Sequence, residues 1–151
     1  VCANLAWHLS RLAEGVTRVE CADIGVGKGD VVSYQLPNWW EFAALHLACL
    51  HIGAITNPVM PIFRQRELSF MLDYAESKIF FAPKIFRNFD HQAMIDELRP
   101  SLPKLEHVYI LGGEGGASFE ANFLERRWEE EVDEGEVEQL NHQKCQEQLV
   151  G

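Results

Sequence analysis

Apolar residues run almost without a break from Trp39 to Ile52, and that stretch organises the chain. Only Glu41, His46 and His51 interrupt it, so it predicts a helix near 38–52 that is apolar on every side and therefore buried. Pro37 ends the β-forming run Val31–Leu36, because proline has no N–H to give a ladder. Asn38 is then placed to cap the helix, and Gly53 to end it in the left-handed conformation. Similar patterns recur on both sides. Cys2, Leu5, Ala6, Leu9, Leu12 and Ala13 fall on one helical stripe over 2–14, which Gly15 closes. Leu68, Met71, Leu72 and Ala75 form another stripe in a helix near 64–76, with Arg64, Arg66, Asp73 and Glu76 off it.

Strands are expected near 31–36, 54–57, 79–82 and 107–111, and a short helix near 92–98 is stopped by Pro100 and Pro103. Strands alternating with helices imply parallel βαβ units, hence an α/β fold with a parallel-rich sheet flanked by helices. Beyond Leu111 the pattern changes. Gly112–Gly116 reads as a flexible break, and Ala117–Trp128 as a possible helix. Glu129 to Glu138 then holds seven carboxylates and no base, a block that repels itself and stays solvated. The expected division is an α/β unit over 1–111 and a weakly ordered acidic tail over 112–151.

At 151 residues the chain is long enough for one real core. Its formal net charge of −10 argues against nucleic acid and anionic membrane surfaces, which are bound through Lys and Arg. The apolar run is too short and too polar to span a bilayer. No basic segment leads into an apolar one, so no signal peptide is expected. Cys2, Cys21, Cys49 and Cys145 are scattered with no Cys-x-x-Cys pair, which suits free thiols in a reducing cytoplasm.

The stretch Gly29–Leu68, GDVVSYQLPNWWEFAALHLACLHIGAITNPVMPIFRQREL, resembles the N-terminal part of the adenylate-forming superfamily, above all its medium-chain, short-chain and alicyclic carboxylate CoA ligases. The resemblance rests on a long spaced pattern, GD-strand-LPN-helix-LA-x-L-x-x-GA-x-x-x-P-x-x-P-x-x-R-x-x-EL, and covers roughly Gly25 to Leu111. Val16–Ile24, between the first helix and this pattern, reads as an insertion or a locally divergent segment relative to the family. The resemblance implies an ATP-dependent acid–thiol ligase that uses Mg²⁺ and CoA. A carboxylate attacks the α-phosphate of ATP to give an acyl-adenylate and pyrophosphate, and the CoA thiol then displaces AMP. In the family, phosphate is held by a Ser/Thr/Gly-rich loop carrying a Lys, and a further Lys comes from a small C-terminal domain. Gly112–Gly116 is followed by Ala117 and Ser118 and contains neither Thr nor Lys. No catalytic residue is therefore carried over, and the chain reads as a fragment of such a synthetase, inactive alone, binding none of these cofactors tightly. Its partners, a small carboxylic acid and CoA, would be met through the full-length enzyme.

Few side chains suggest chemistry on their own. His46 and His51 lie about 140° apart around a helix and cannot share a metal, so no metal site is expected. Trp39 and Trp40 could line an acyl pocket, but core packing is the simpler role. Arg64 follows a Pro-rich loop at the C-terminal end of a strand, where open α/β sheets place ligands. It is the candidate for holding a carboxylate or phosphate, against the plainer role of a solvated first-turn residue, and Glu67 suits the helix dipole there. Gly25–Asp30, GVGKGD, lacks the spacing, the Ser or Thr and the preceding strand of a phosphate loop, and reads as a turn into a strand. Two other readings stay open: a stand-alone α/β binding or regulatory module, and an unrelated nucleotide-binding domain that uses GVGKGD as a phosphate turn.

Overall fold

The computed structural model describes residues 24–125. The expected helix over 2–14, nearly all of the Val16–Ile24 segment and the acidic stretch from Glu129 lie outside the described residues. Among those described, the elements run β1 (Val31–Tyr34), α1 (Trp40–Ile52), β2 (Ile55–Pro58), α2 (Gln65–Tyr74), β3 (Ile79–Pro83), β4 (Ile85–Phe86), β5 (Phe89–Asp90), α3 (His91–Leu98) and β6 (His107–Leu111). Four of the strands form a parallel sheet in the order β2-β1-β3-β6.

That order explains the layers. From β1 to β2 the chain steps one way across the sheet; from β2 to β3 and on to β6 it steps the other way. Right-handed crossovers then put α1 on one face and α2 and α3 on the opposite face. Strand alternation supplies an apolar side to each. Val32, Tyr34, Ile79, Phe81, Tyr109 and Leu111 pack with Leu45, Cys49 and Ile52 of α1. Phe80, Ala82, Val108 and Ile110 pack with Leu68 and Leu72 of α2 and Met94 and Ile95 of α3. The one polar residue facing the second layer from inside β1, Ser33, is buried but satisfied: its hydroxyl lies 2.6 Å from that of Ser77 and accepts from Asn57 Nδ2 at 2.9 Å.

The N-terminal end of the sheet is tied by the Gly25–Asp30 turn. The Asp30 carboxylate accepts from Gly27 N–H at 2.9 Å and from Lys78 Nζ at 3.1 Å. The Gly27 N–H, and after it Lys78, hold this carboxyl below its ordinary pKa against the opposing effect of burial. Gly53 closes α1 with φ +73°, and a Cβ there would stand 3.3 Å from Lys28 Cγ. Gly53→Ala is therefore expected to destabilise the chain by about 1 kcal/mol, nearly all of it backbone strain, since a lysine stem can yield. Gly27→Ala, with open space around it, serves as the near-neutral control. Comparing the two urea midpoints checks this.

Three expectations are corrected. Asn38 does not cap α1: the N-cap is Trp39, without a side-chain cap bond, because Pro37–Trp39 turns on itself through Trp39 N–H to Pro37 O at 2.7 Å. Nor is α1 buried all round. Leu47 and Leu50 are 39% and 60% exposed, with Ala43 exposed on the same stripe, since one side of the helix already satisfies the sheet. Gly112–Gly116 does not end the packed structure. It tightens into a 3₁₀ turn at Gly115–Ala117, Ser118 bridges to Ile110, and Phe119 and Phe123 return onto Phe81 and Tyr109. The continuation is a π-helical turn, Glu120–Glu125.

Candidate functional site

In a sheet of this order the crevice between the C-terminal ends of β1 and β3, where the winding reverses, is the natural ligand position. Here that crevice is filled. Gln35 follows β1 and is fully buried, and His91, also fully buried, opens α3 just after the β4–β5 hairpin. The hairpin turns through Arg87 and Asn88, with φ +50° and +61°. Gln35 Nε2 donates to Met60 O at 2.9 Å and Phe63 O at 3.0 Å, clamping the Pro-rich loop after β2. Gln35 Oε1 lies 3.2 Å from His91 Nδ1.

Arg64 stands at the same edge, as its position in the sequence implied, but is not a solvated first-turn residue. It is the half-buried N-cap of α2. Its Nη1 donates to Pro61 O and Phe63 O, both at 2.9 Å, and its guanidinium lies 3.9 Å over the Phe89 ring. Arg64 N–H donates to Glu67 Oε2 at 3.3 Å, so Glu67 serves the helix start. Lys84, just past β3, faces Glu114 at 3.4 Å.

The other candidates are dispersed. His46 Nδ1 is 3.0 Å from the Tyr34 hydroxyl. Among the described residues no His, Cys, Asp and Glu cluster could hold a metal. Trp39 packs edge-on to Phe86 at 5.9 Å, and Trp40 lies partly buried against the α1 core. Cys49 is a buried free thiol whose pKa is pushed up to about 12 by burial, so it is unreactive. The Gly25–Asp30 turn sits at the opposite end of the strands from the ligand edge, with its carboxylate on Gly27 N–H; it is not a phosphate turn.

Two groups escaped sequence reasoning. His91 carried no signal beyond being a polar residue at a helix start. Glu41, in the first turn of α1, has a buried Oε2 without a hydrogen-bond partner among the described residues. Burial, with a smaller contribution from the Glu120 charge, pushes its pKa up. Glu120 itself accepts from Gly112 N–H at 2.9 Å and Ser118 Oγ at 3.2 Å.

A doubly wound parallel layer with its loops gathered at one edge is thus the class of structure present. The sequence matches the AMP-binding enzyme family over residues 3–148, and the chain belongs to that family. It is 39% identical over 84 residues to a medium-chain fatty-acid–CoA ligase of Escherichia coli (strain K12), covering 56% of this chain and 15% of that one. It is 35% identical over 107 residues to a 2-hydroxy-7-methoxy-5-methyl-1-naphthoate–CoA ligase of Streptomyces carzinostaticus, covering 71% of this chain and 19% of that one. The fold superposes on the anthranilate CoA ligase AuaEII in complex with anthranoyl-AMP with a TM-score of 0.65, at 19% identity, over 79% of this chain and 22% of that one. The structure of a putative long-chain-fatty-acid CoA ligase from Rhodopseudomonas palustris CGA009 gives a TM-score of 0.60 at 27% identity, over 74% of this chain and 26% of that one. The chain therefore spans less than a fifth of the length of these curated relatives.

Proposed function

We propose that this chain forms the opening α/β layer of an acyl-CoA ligase, which joins a small carboxylic acid to CoA through an acyl-adenylate at the expense of ATP. What carries the reading is the family match together with one structural fact. The stretch that bears the family pattern folds as one continuous β1-α1-β2-loop-α2 unit, its loop clamped at the ligand edge of the sheet. The names of the ligase relatives support a carboxylate and CoA as substrates.

The role of the described residues in that enzyme is scaffolding. Adenylation needs cationic and N–H donors around the α-phosphate. At this edge Arg64 Nη1 is committed to two carbonyls and Lys84 faces Glu114. The Gly-rich cluster is a tight turn in which a Cβ on Gly113 would stand 2.9 Å from Ile110 Cβ. These residues do not fit ATP, Mg²⁺ or CoA, and no step of the reaction runs through them. The exposed apolar positions Leu47, Leu50 and Ile55 fit surfaces that the much greater length of a complete ligase would cover. No described helix is long and apolar enough to cross a membrane, and a cytoplasmic enzyme is part of this proposal. Exchanging the layer into a complete ligase, with pyrophosphate release as the readout, tests it.

A further inference from the structure

The polar pair that fills the switch-point crevice has an unusual state of charge and hydrogen bonding. Both N–H bonds of the Gln35 amide point at carbonyls, Met60 O and Phe63 O, which can only accept. Oε1 is therefore the atom facing His91, and it too can only accept. His91 must carry its proton on Nδ1, which leaves the Nε2 lone pair bare. That Nε2 is buried and has no hydrogen-bond partner among the described residues.

Among the described residues the charged groups near the ring act in opposite senses: Arg64 disfavours a second proton and Asp90 favours it. Arg64, from the N-cap of α2, lies on the Phe89 ring, which in turn packs edge-on to His91 at 5.0 Å. Asp90, the N-cap residue before His91, has its carboxylate on Ala93 N–H at 2.9 Å. Lys84 offers its carbonyl to His91 N–H, while its ammonium faces Glu114. Burial, reinforced by Arg64 and opposed by Asp90, holds the histidine below its ordinary pKa.

We propose that Gln35 and His91 form a proton-operated latch on the loop Val59–Arg64. With His91 neutral, Gln35 is held in the one orientation that clamps both loop carbonyls. A second proton on Nε2 creates a buried imidazolium near the Arg64 guanidinium, and its Nε2–H has no acceptor among the described residues. Letting the ring reach water relieves it, which separates α3 from the loop and releases the Gln35 bonds to Met60 O and Phe63 O, leaving the loop held by its own turn and by Arg64 among the described contacts. The latch is a property of this chain's own loop and does not depend on the ligase reading.

The sign follows from linkage. The closed state binds the proton more weakly than the open one. Opening is therefore independent of pH above the ordinary histidine value near 6.5 and rises about tenfold per pH unit below it, until the depressed pKa of the closed state is reached. The test is hydrogen exchange of the Val59–Arg64 amides in the 151-residue chain from pH 8 to 5, corrected for intrinsic exchange rates. Protection is expected to fall below pH 6.5 in the unmodified chain, by up to about tenfold per unit until the pKa of the closed state is reached. In His91→Gln, whose amide can still donate to Gln35 but does not titrate, protection should stay flat with pH. In Gln35→Leu, where Arg64 still holds Pro61 O and Phe63 O, protection should be lower than in the unmodified chain at pH 8 and no longer fall with pH. Equal pH dependence in His91→Gln and the unmodified chain would overturn the latch. The ¹⁵N shifts of the unmodified His91 ring give a second test that needs no variant. The latch requires the Nδ1–H tautomer at pH 8, and an Nε2–H tautomer there overturns it.

Discussion

Phe80→Ala is expected to unfold the chain or bring it to the brink of unfolding at 25 °C. Phe80 is fully buried in the central strand β3, packed with Leu68, Leu72, Met94 and Ile95 beneath α2 and α3. Truncating a buried phenylalanine costs roughly 3–5 kcal/mol, the lost transfer free energy plus the cavity left behind. Folded domains have only about 5–15 kcal/mol in total, and this one also exposes Leu50, Ile55, Ile62 and Ile85. The matched control is Phe70→Ala. Phe70 is 68% exposed on the outer side of α2, stacked on Tyr74, and its loss should cost well under 1 kcal/mol. Urea titrations of the two variants read the difference directly. Equal midpoints would mean that the α2–α3 layer does not rest on β3.

Purified 151-residue chain should release no pyrophosphate above background from Mg-ATP with CoA and a panel of medium-chain and aromatic acids. Charge develops on phosphoryl oxygens during adenylation, and the barrier falls only where donors are already in place around them. Removing one such donor costs about a hundred- to a thousand-fold in rate. Among the described residues at the ligand edge no such set is assembled: Gln35 and His91 are bonded to each other, Arg64 Nη1 to Pro61 O and Phe63 O, and Lys84 faces Glu114. Release that depends on the acid, and is abolished by a substitution within this chain, would place the chemistry here instead.

The layer was legible because each strand and helix carries a local period that tertiary packing reinforces. Strands expected at 31–36, 54–57, 79–82 and 107–111 stand at Val31–Tyr34, Ile55–Pro58, Ile79–Pro83 and His107–Leu111. The β4–β5 hairpin was not legible. Its strands are two residues each, and its turn uses Arg87 and Asn88 at positive φ without a glycine to announce it. The outer face of α1 misled for a different reason. Composition says that Leu47 and Leu50 should be covered, but not which part of a protein covers them. The polar plug was hidden most deeply. Gln35 and His91 are 56 positions apart, and neither type of residue marks a crevice until the strand order brings the ends of β1 and β3 together. Arg64 was placed at the correct edge by its loop, while its partners, two carbonyls and the Phe89 ring, depend on the hairpin that the sequence concealed.

The central claim is that these residues build the opening layer of an acyl-CoA ligase and support its chemistry from outside the reacting atoms. The most direct measurement replaces the matching 84-residue stretch of the Escherichia coli medium-chain fatty-acid–CoA ligase with that of this chain. Pyrophosphate release dependent on a medium-chain acid is then recorded for a hybrid shown to be soluble and cooperatively folded. The account predicts release within about tenfold of the parent ligase, because a scaffold exchange costs no more than the 1.4 kcal/mol that a tenfold loss represents. A well-folded hybrid with release at background would contradict it.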